Sequence, residues 1–356
     1  MKKEHLLAIR FSAMGDVAMT VPVIYSLARQ YPDVRITMLS RPFARPFFEG
    51  LAPNVNFMEA DVKREYHGLK GLNRLYRRLT AKQFTAVADL HSVLRSDYLR
   101  LRFNLGRFRV AHIDKHRRER KRLVRPGKQG VRRPLASPFD NYREVFARLG
   151  YPIERITFTS LFGTGKGDLS VLPTAIGPVK GEGEQWIGIA PTAAHQGKIY
   201  PLERMEQVVT LLARRYPKAR LFLFGRGRQE DELFARWTAA VPQCTHVARH
   251  LETMQQELVL MSHLDVMLSM DSANMHLASL AGTTVVSVWG ATHPMAGFLG
   301  WGQHTEHCVQ ADMPCRPCSI YGQKPCRYGD YRCLTAITPQ QVAERVERVV
   351  SKKENL

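Results

Sequence analysis

Asp16 lies in a segment that could supply a general base. Its motif, Met14-Gly15-Asp16-Val17, connects a strand-like run that begins at His5 to a helical run that extends to about Gln30. The start of a helix holds a carboxylate through backbone N–H groups and the helix dipole. Two interpretations stay open: Asp16 only caps the helix, or it deprotonates a sugar hydroxyl that attacks an anomeric carbon.

Two further turns each follow a strand-like run and precede a helical one. Gly197-Lys198-Ile199-Tyr200-Pro201 comes shortly after Thr192, and its lysine could neutralise a pyrophosphate leaving group, as a metal ion does elsewhere. Phe224-Gly225-Arg226-Gly227-Arg228-Gln229-Glu230 has glycines that let the backbone approach a ligand, and Glu230 could hold a ribose hydroxyl. The alternatives are one more solvated lysine and a plain strand–helix turn.

The segment Met270-Asp271-Ser272-Ala273-Asn274-Met275-His276 is the most informative motif. Residues 272–274 would place backbone N–H groups at a helix N-terminus, which is an anion site suited to a diphosphate. His276 falls on the same helical face one turn later. The alternative is that Asp271 is a cap and His276 a core residue. Thr292 follows the next predicted strand at the same edge of the sheet, which favours a binding site there.

Four cysteines lie within nineteen residues: Cys315, Cys318, Cys326 and Cys333. They could coordinate a structural zinc ion, because four thiolate ligands leave no open position for a substrate. Disulfides and reduced thiols are equally open interpretations. In a cytosolic chain we expect all six cysteines, including Cys244 and Cys308, to be reduced unless they bind metal.

The elements that must position these residues alternate in type along the chain. Strand-like runs begin at His5, Arg35, Val55, Thr85, Trp186, Ala219, Val266 and Thr284. Helical patterns cover residues 17–30, 139–149, 202–216, 231–240, 273–281 and 339–351. This alternation predicts βα units on parallel sheets, and a Gly- and Pro-rich linker over residues 162–185 divides them into two halves. We therefore expect two facing Rossmann-like domains with ligands in the cleft.

Charge is the unusual property of the composition. The 356 residues include 52 Lys plus Arg against 32 Asp plus Glu, a formal net charge of +20. Fourteen of the cations fall in residues 100–133, where Val110–Ile113 is apolar enough for a strand and the rest is interpreted as an exposed basic loop. Such a field attracts nucleic acid, anionic lipid headgroups or a phosphorylated glycolipid. Residues 115–133 contain no Phe, Tyr or Trp, which argues against nucleic acid.

The N-terminal apolar run, Leu6–Ile9, ends at Arg10 after four residues. It is too short for a signal-peptide core, and no later stretch is long enough to span a bilayer. We therefore expect a cytoplasmic protein, peripheral at most to the inner face of the inner membrane.

In this order and spacing, the motifs resemble glycosyltransferase family 9, the ADP-heptose:lipopolysaccharide heptosyltransferases. The resemblance covers nearly the whole chain, and its strongest parts are Met14–Val17, Gly197–Pro201, Asp271–His276 and Trp289–Pro294. It implies an α/β fold of the GT-B type, with an acceptor-binding domain over residues 1–170 and a nucleotide-sugar-binding domain over residues 185–356. It also implies an inverting, metal-independent transfer of heptose from ADP-heptose to a phosphorylated glycolipid acceptor of the lipopolysaccharide inner core, without a cofactor.

The resemblance assigns roles to the residues that match the family's motifs. Asp16 would be the catalytic base, and Lys198 would contact the donor phosphates. The donor-binding residues would be Thr192, Lys198, Glu230, Asp271, Ser272, Ala273, Asn274, His276 and Thr292. The acceptor-binding residues would be Ser12, Met14, Gly15, His91 and Arg95. A basic loop around residues 115–133 would hold the enzyme at an anionic membrane surface; the alternative is a solvated loop without a specific partner.

Three departures from the family pattern concern the donor. Ser272-Ala273 stands where many relatives have Thr-Gly, and Tyr200 stands where a tryptophan is common. Arg226 and Arg228 flank the expected nucleotide site. A different nucleotide-activated sugar therefore stays open as the donor. A non-catalytic binding module is a further alternative, against which the intact Asp16 argues.

Overall fold

The computed structural model describes residues 4–125, 133–177 and 179–354. The chain folds into two compact units, and each unit takes two stretches of sequence. The first unit comprises Met1–Arg117 and Ala136–Leu161, and the second comprises Arg118–Leu135 and Phe162–Leu356. The polypeptide therefore passes from one unit to the other three times.

The first unit is built on a five-stranded parallel sheet. Its strands are β1 (His5–Ile9), β2 (Arg35–Ser40), β3 (Val55–Glu59), β4 (Ala86–Asp89) and β5 (Arg109–His112). They lie in the order β3-β2-β1-β4-β5. In the centre, β1 pairs with β2 from His5 opposite Arg35 and with β4 from Leu6 opposite Ala86. All five residues of β1 are buried, as expected for a parallel sheet with helices on both faces.

Helices follow the strands of this sheet. They are α1 (Met14–Ala18), α2 (Val21–Gln30), α3 (Arg45–Phe48), α4 (Gly68–Thr80), α5 (Leu94–Leu105) and α7 (Pro138–Arg148). The helix between β5 and α7, α6 (Arg117–Leu123), belongs to the second unit except for its first residue. The start of α7 is fixed by its sequence, because Ser137 Oγ accepts a hydrogen bond from the Asp140 backbone N–H. In return, the Asp140 carboxylate accepts one from the Ser137 N–H, so the two residues form a capping box.

The second unit contains a six-stranded parallel sheet. Its strands are β6 (Trp186–Ala190), β7 (Arg220–Leu223), β8 (Cys244–His246), β9 (Val266–Met270), β10 (Val285–Trp289) and β11 (Cys308–Gln310). They lie in the order β11-β10-β9-β6-β7-β8. Every residue of β6, β9 and β10 is buried. These three neighbouring strands form the centre of the unit, and the loops after them meet at one edge of the sheet.

The helices of the second unit cover its sheet. They are α8 (Leu202–Arg215), α9 (Arg228–Ala240), α10 (Met254–His263), α11 (Ala273–Leu280), α12 (Arg332–Thr335) and α13 (Pro339–Glu354). The apolar positions predicted for α13, Val342, Val346 and Val350, are buried in the core together with residues of α8. Among the helices of the described residues, none is long and apolar enough to cross a membrane.

The predicted strands all form, with ends that differ by at most two residues from the expected ones. Two three-residue edge strands, β8 and β11, were not predicted, nor were the helices α3, α4, α5, α10 and α12. Within the predicted linker, the described residues form only two short 3-10 turns, Leu169–Val171 and Thr174–Ile176. The fold class is thus confirmed as two parallel-sheet, Rossmann-like α/β units.

The basic stretch of residues 100–133 is the main correction. Apart from its strand, it was expected to be a loop, but it contains the end of α5 and all of α6. Lys and Arg are good helix formers, and their charges are solvated on an exposed helix as well as on a loop. Lys128 and Arg132, two cations of this stretch, lie outside the described residues.

Candidate functional site

Asp16 is the third residue of α1, directly after β1 in the chain. Its Oδ2 accepts a hydrogen bond from the Ala13 backbone N–H at 3.3 Å and lies 3.0 Å from Nη2 of Arg10. Arg10 is only 6% exposed, and its Nη1 donates to the Leu90 carbonyl at 2.5 Å. The guanidinium therefore holds the carboxylate at the ends of β1 and β4. Because the Asp16 side chain is still 28% exposed, a ligand can reach it.

Tyr142 of α7 contacts both residues of the same pair. Its hydroxyl donates to the Asp16 backbone carbonyl at 3.3 Å. Its ring centre lies 5.7 Å from Cζ of Arg10, within the range of a cation–π contact. The carboxylate is thus positioned by a buried cation, a helix start and a buried tyrosine.

His91 lies beside Ser12 but is not arranged as a base. Burial lowers its pKa to about 3, with the nearby charge of Arg10 adding to the effect, so the imidazole is neutral at physiological pH. The Phe11 backbone N–H donates to Nδ1 at 3.4 Å, and Nε2, which then carries the proton, lies 3.4 Å from Ser12 Oγ. Asp89 fixes this loop by accepting from the His91 N–H at 2.9 Å. His91 can therefore position Ser12, and Asp16 is the available proton acceptor.

The remaining acceptor-binding candidates are less constrained. Met14 and Gly15 form the first turn of α1 and are partly buried. Arg95 lies exposed near the start of α5. Its charge is close enough to contribute to the low pKa of His91. Of the predicted acceptor set, Ser12, Met14, Gly15 and His91 lie in or beside the turn after β1, and Arg95 lies in solvent.

Lys198 is the centre of a second cluster, in the second unit. Its Nζ lies 2.9 Å from Asp271 Oδ2, and the same oxygen accepts a hydrogen bond from the Thr292 hydroxyl at 2.7 Å. Asp271 follows β9, Thr292 follows β10, and Lys198 ends a 3-10 turn after β6. Three neighbouring strands therefore contribute one residue each. An ammonium group has three N–H donors, so two remain for other partners when one binds Asp271.

Three glycines allow the backbone around Lys198 to pack closely. The Ala291 N–H donates to the Gly197 carbonyl at 2.8 Å, and a Cβ on Gly290 would lie only 2.5 Å from that oxygen. Gly322 has φ +79°, and a Cβ there would lie 2.7 Å from Cγ of Lys198. Any larger residue at these positions would displace the loop or the lysine.

Residues 272–274 begin α11, as the sequence predicts. Ser272 is the N-cap residue, yet its side chain makes no capping hydrogen bond. Its Oγ instead lies 3.2 Å from Ser269 Oγ. Ala273 and Asn274, the first two helical residues, are partly buried, whereas His276 is buried. Because no side chain caps this turn, its backbone N–H groups point at a position where an anion would be stabilised.

Glu230 and Thr192 lie after the neighbouring strands of the same sheet. Glu230 is in the first turn of α9, after β7, and its carboxylate bends over the glycine turn. A Cβ on Gly227 would lie 3.0 Å from Glu230 Oε2. Thr192 follows β6 and is partly buried. All predicted donor-binding residues therefore lie after β6, β7, β9 or β10, and direct contacts connect Lys198, Asp271 and Thr292.

The two arginines expected to flank the nucleotide have other partners. Nε of Arg226 donates to Glu257 Oε1 at 2.9 Å, and its Nη2 donates to the Leu251 carbonyl at 2.7 Å. Arg228 is exposed and pairs with Glu232, one turn later in α9, at 2.9 Å. Arg226 therefore anchors the turn itself, and the charge available to a ligand is smaller than the sequence indicates.

The four clustered cysteines do not form a metal site in the structure. Among residues 4–125, 133–177 and 179–354, no three His, Cys, Asp or Glu side chains are arranged to hold a metal ion. All six cysteines are free thiols. Burial raises the pKa of Cys333 to about 11 and that of Cys318 in the same direction, which favours the protonated thiol. The structure therefore gives the zinc hypothesis no support.

Sequence reasoning missed two buried arginines, Arg10 beside Asp16 and Arg316 beneath the loop of Thr292. Arg10 ends an apolar run and looks like the polar end of a strand. Arg316 lies between prolines and cysteines, in a segment without the apolar pattern of a buried element. One signal for Arg10 was available in the sequence. A cation six residues before a candidate base can form an ion pair with it.

Comparisons with known proteins identify the family of this chain. The family model for glycosyltransferase family 9 (heptosyltransferase) matches residues 72–331, well over half of the chain. A lipopolysaccharide core heptosyltransferase, OpsX of Haemophilus influenzae, is 22% identical over 297 residues, which are 82% of this chain and 80% of that protein.

Solved structures of similar proteins share the fold. The ADP-heptose lipopolysaccharide heptosyltransferase II of E. coli superposes with a TM-score of 0.70 at 17% identity, over 98% of this chain and 99% of that one. A family 9 glycosyltransferase of Veillonella parvula superposes with a TM-score of 0.74 at 17% identity, over 99% and 98% of the two chains. At 17% identity these superpositions show a common fold over nearly the whole of each chain.

Proposed function

This chain belongs to glycosyltransferase family 9, and we propose that it transfers heptose from ADP-heptose to an acceptor of the lipopolysaccharide inner core. The family makes it a glycosyltransferase of the GT-B fold. One observation carries the choice of an activated sugar diphosphate: the Lys198 ammonium, held by Asp271 at 2.9 Å, lies at the same sheet edge as the uncapped start of α11. A fixed cation and a helix N-terminus together suit a diphosphate.

Lys198 would stabilise the leaving group. When the bond between the anomeric carbon and the phosphate oxygen breaks, negative charge grows on the nucleoside diphosphate. Asp271 and Thr292 hold the ammonium in place before the reaction, so little reorganisation is needed when this charge develops. Glu230 would accept a hydrogen bond from a ribose hydroxyl, and Ser272 to Asn274 would donate backbone N–H groups to the phosphates.

Asp16 would be the general base. The acceptor hydroxyl oxygen attacks the anomeric carbon from the face opposite the diphosphate, its proton passes to the Asp16 carboxylate, and ADP leaves with the bonding electron pair. A single displacement of this kind inverts the anomeric configuration. Arg10, 3.0 Å from Oδ2, stabilises the charged carboxylate, which is the form that can take the proton. In this mechanism Lys198 supplies the positive charge, and no metal ion is required.

The excess of cations would bring the enzyme to the surface where its acceptor lies. Inner-core glycolipids are phosphorylated and lie at an anionic membrane surface, on the cytoplasmic side where the nucleotide sugar is available. Four cations of α6, Arg117, Arg118, Lys121 and Arg122, are exposed. We propose that they attract the anionic surface, with an attraction that weakens at high salt.

The base is tested by Asp16→Asn, with Asp140→Asn as a matched control. Both aspartates are the third residue of a helix and accept a hydrogen bond from the N–H of the residue that precedes the helix. Asp16→Asn should lower kcat about 10³-fold, within the range for loss of a general base, and leave ADP-heptose affinity unchanged. Asp140→Asn should cost about 1 kcal/mol of stability and leave kcat unchanged. Equal kcat for the two variants would reduce Asp16 to a helix cap.

The donor is tested by calorimetric titration of the protein with ADP-heptose, UDP-glucose and GDP-mannose. Selective binding of ADP-heptose supports the proposed substrate. Selective binding of another nucleotide sugar keeps the family and the mechanism but replaces the donor. If none binds, the assignment of the Lys198 cluster as the diphosphate site is wrong.

A further inference from the structure

Arg316 is a buried cation that holds the loop after β10. It is only 2% exposed. Its Nη2 donates to the Trp289 carbonyl at 3.1 Å and to the Thr292 carbonyl at 2.9 Å, and its Nε donates to the Gly290 carbonyl at 2.5 Å. One guanidinium thus binds three of the four backbone carbonyls between residues 289 and 292.

The rest of the segment around Arg316 supports the same loop. The backbone N–H groups of Cys318 and Ser319 both donate to the fourth carbonyl, that of Ala291, at 3.0 and 3.2 Å. Arg316 also donates to the Ala311 carbonyl and to Gln310 Oε1 at the end of β11. Every carbonyl of residues 289–292 is therefore fixed by this segment.

Among the described residues, no carboxylate forms an ion pair with Arg316, although the charge of Asp312 acts on its guanidinium from a greater distance. None of the ion pairs formed by the described residues includes it, and all its hydrogen bonds go to neutral oxygens. Burial lowers the pKa of its guanidinium, which remains charged because an arginine pKa starts so high. Burying a charge is costly, and here the cost is offset by hydrogen bonds to acceptors that an apolar side chain would leave unsatisfied. Packing alone is thus a weak reason for an arginine here.

The loop that Arg316 holds carries one residue of the Lys198 cluster. Thr292 donates its hydroxyl to Asp271, and Asp271 holds Lys198. Arg316 binds the carbonyl of that same threonine, at 2.9 Å. A short chain of contacts, Arg316 to Thr292 to Asp271 to Lys198, therefore connects the buried guanidinium to the ammonium.

We infer that Arg316 is a positioning residue for Lys198: it fixes the 289–292 loop, and through Thr292 and Asp271 it sets where the ammonium meets the donor diphosphate. The inference rests on the proposed function of the Lys198 cluster. It extends the donor site beyond the residues that contact a ligand, to a side chain on the far side of the loop. The expected effect of its loss falls on the donor and spares the acceptor.

The test compares Arg316→Met and Arg316→Lys with Arg204→Met as a matched control. Arg204 also donates to backbone carbonyls of the second unit, those of Thr335 and Ile337, but not to the 289–292 loop. Steady-state rates are measured with ADP-heptose and acceptor varied separately. Arg316→Met should lower kcat/KM for ADP-heptose about 10²-fold, as expected for a misplaced catalytic group, with the acceptor KM unchanged. Arg316→Lys should recover part of the loss, and Arg204→Met should match wild type.

A double-mutant cycle with Thr292→Val tests the path of the effect. If Arg316 acts through Thr292, the combined variant should lose clearly less than the product of the two single losses. Full multiplication of the losses would overturn this path, as would an Arg316→Met enzyme with wild-type kcat/KM.

If Arg316→Met fails to fold, Gln310→Ala, which removes one acceptor of the guanidinium, should still raise the donor KM roughly two- to threefold, the size expected from a slightly misplaced group. Wild-type kinetics of that variant would count against the inference. A wild-type protein that transfers no heptose would instead refute the proposed function.

Discussion

Strand β9 has a lysine–aspartate pair at each of its ends, and the two pairs differ in their surroundings. Asp265, before the strand, binds Lys180 through both carboxylate oxygens, with Nζ 2.6 Å from Oδ1, and its Oδ2 also accepts the Trp186 backbone N–H at 2.7 Å. Asp271, after the strand, binds Lys198 at 2.9 Å and accepts the Thr292 hydroxyl. The residue types and distances are nearly the same.

The surroundings show what each pair can do. The pair before β9 lies at the amino end of the sheet and connects Lys180, a residue of the linker, to the first residue of β6. The pair after β9 lies at the carboxyl end, beside an uncapped helix start and under Gly322. In parallel sheets ligands bind at the carboxyl ends. A lysine–aspartate pair therefore indicates a ligand site only when it lies at the carboxyl end of the sheet. The pair Lys180–Asp265 serves as an internal control for the pair Lys198–Asp271.

The strongest test of this comparison is Lys198→Ala against Lys180→Ala. Each change leaves a partly or fully buried carboxylate without its cation, so each should lower stability by about 1–3 kcal/mol. Only Lys198→Ala should also lower kcat/KM for ADP-heptose, by about 10³-fold, because it removes the charge next to the leaving group. Thermal unfolding and initial rates on the same samples measure both effects. Equal kinetic losses would mean that the position on the strand carries no function.

A smaller effect is expected from Asp271→Asn against Asp265→Asn. The first substitution keeps the shape of the side chain but removes the charge that holds the ammonium, so kcat should fall about 10²-fold through misalignment. Asp265→Asn should change stability alone. A double variant of Asp271→Asn with Lys198→Ala should be no slower than Lys198→Ala, since the carboxylate acts only through the lysine. Multiplied losses would show that Asp271 has a separate role.

The smallest effect concerns two threonines at the ends of β10. Thr292→Val removes the hydroxyl that donates to Asp271, whereas Thr283→Val removes one that donates to the Met261 carbonyl. Each loses one buried hydrogen bond, about 1 kcal/mol. For Thr292 the loss should appear as a roughly five- to tenfold lower kcat/KM for the donor, and for Thr283 it should appear only in the unfolding midpoint. A kinetic defect in the Thr283→Val enzyme would contradict the distinction between the two ends.

Local sequence predicts the strands and the motifs well, because their signals are local. The apolar runs that become β1, β6, β9 and β10 are surrounded by Gly and polar residues, and each functional candidate follows its strand by a few positions. Position after a strand is enough to place Asp271 and Thr292 at one edge. That their side chains share a hydrogen bond depends on the packing of two loops 21 residues apart.

The residues that sequence reasoning missed act across long separations. Arg10 is fixed by the carbonyl of Leu90, 80 positions away, and Arg316 by carbonyls 24 to 27 positions away. An arginine in a basic chain is expected at the surface, so nothing in the neighbouring residues signals its burial. The same excess of cations favours a loop over the basic stretch, where α6 in fact forms.

The threefold passage of the chain between its units has a consequence for how such genes recombine. The described residues of Arg118–Leu135 belong to the second unit although first-unit sequence lies on both sides of them. Among them, Cζ of Arg120 lies 5.2 Å from the ring centre of Phe298 and 5.9 Å from that of Tyr321. A single crossover after Leu161 would join a complete second half from one parent to a basic segment from the other. A functional chimera would then need the arginine from one parent and the two aromatic rings from the other, because this contact joins residues from both sides of the crossover.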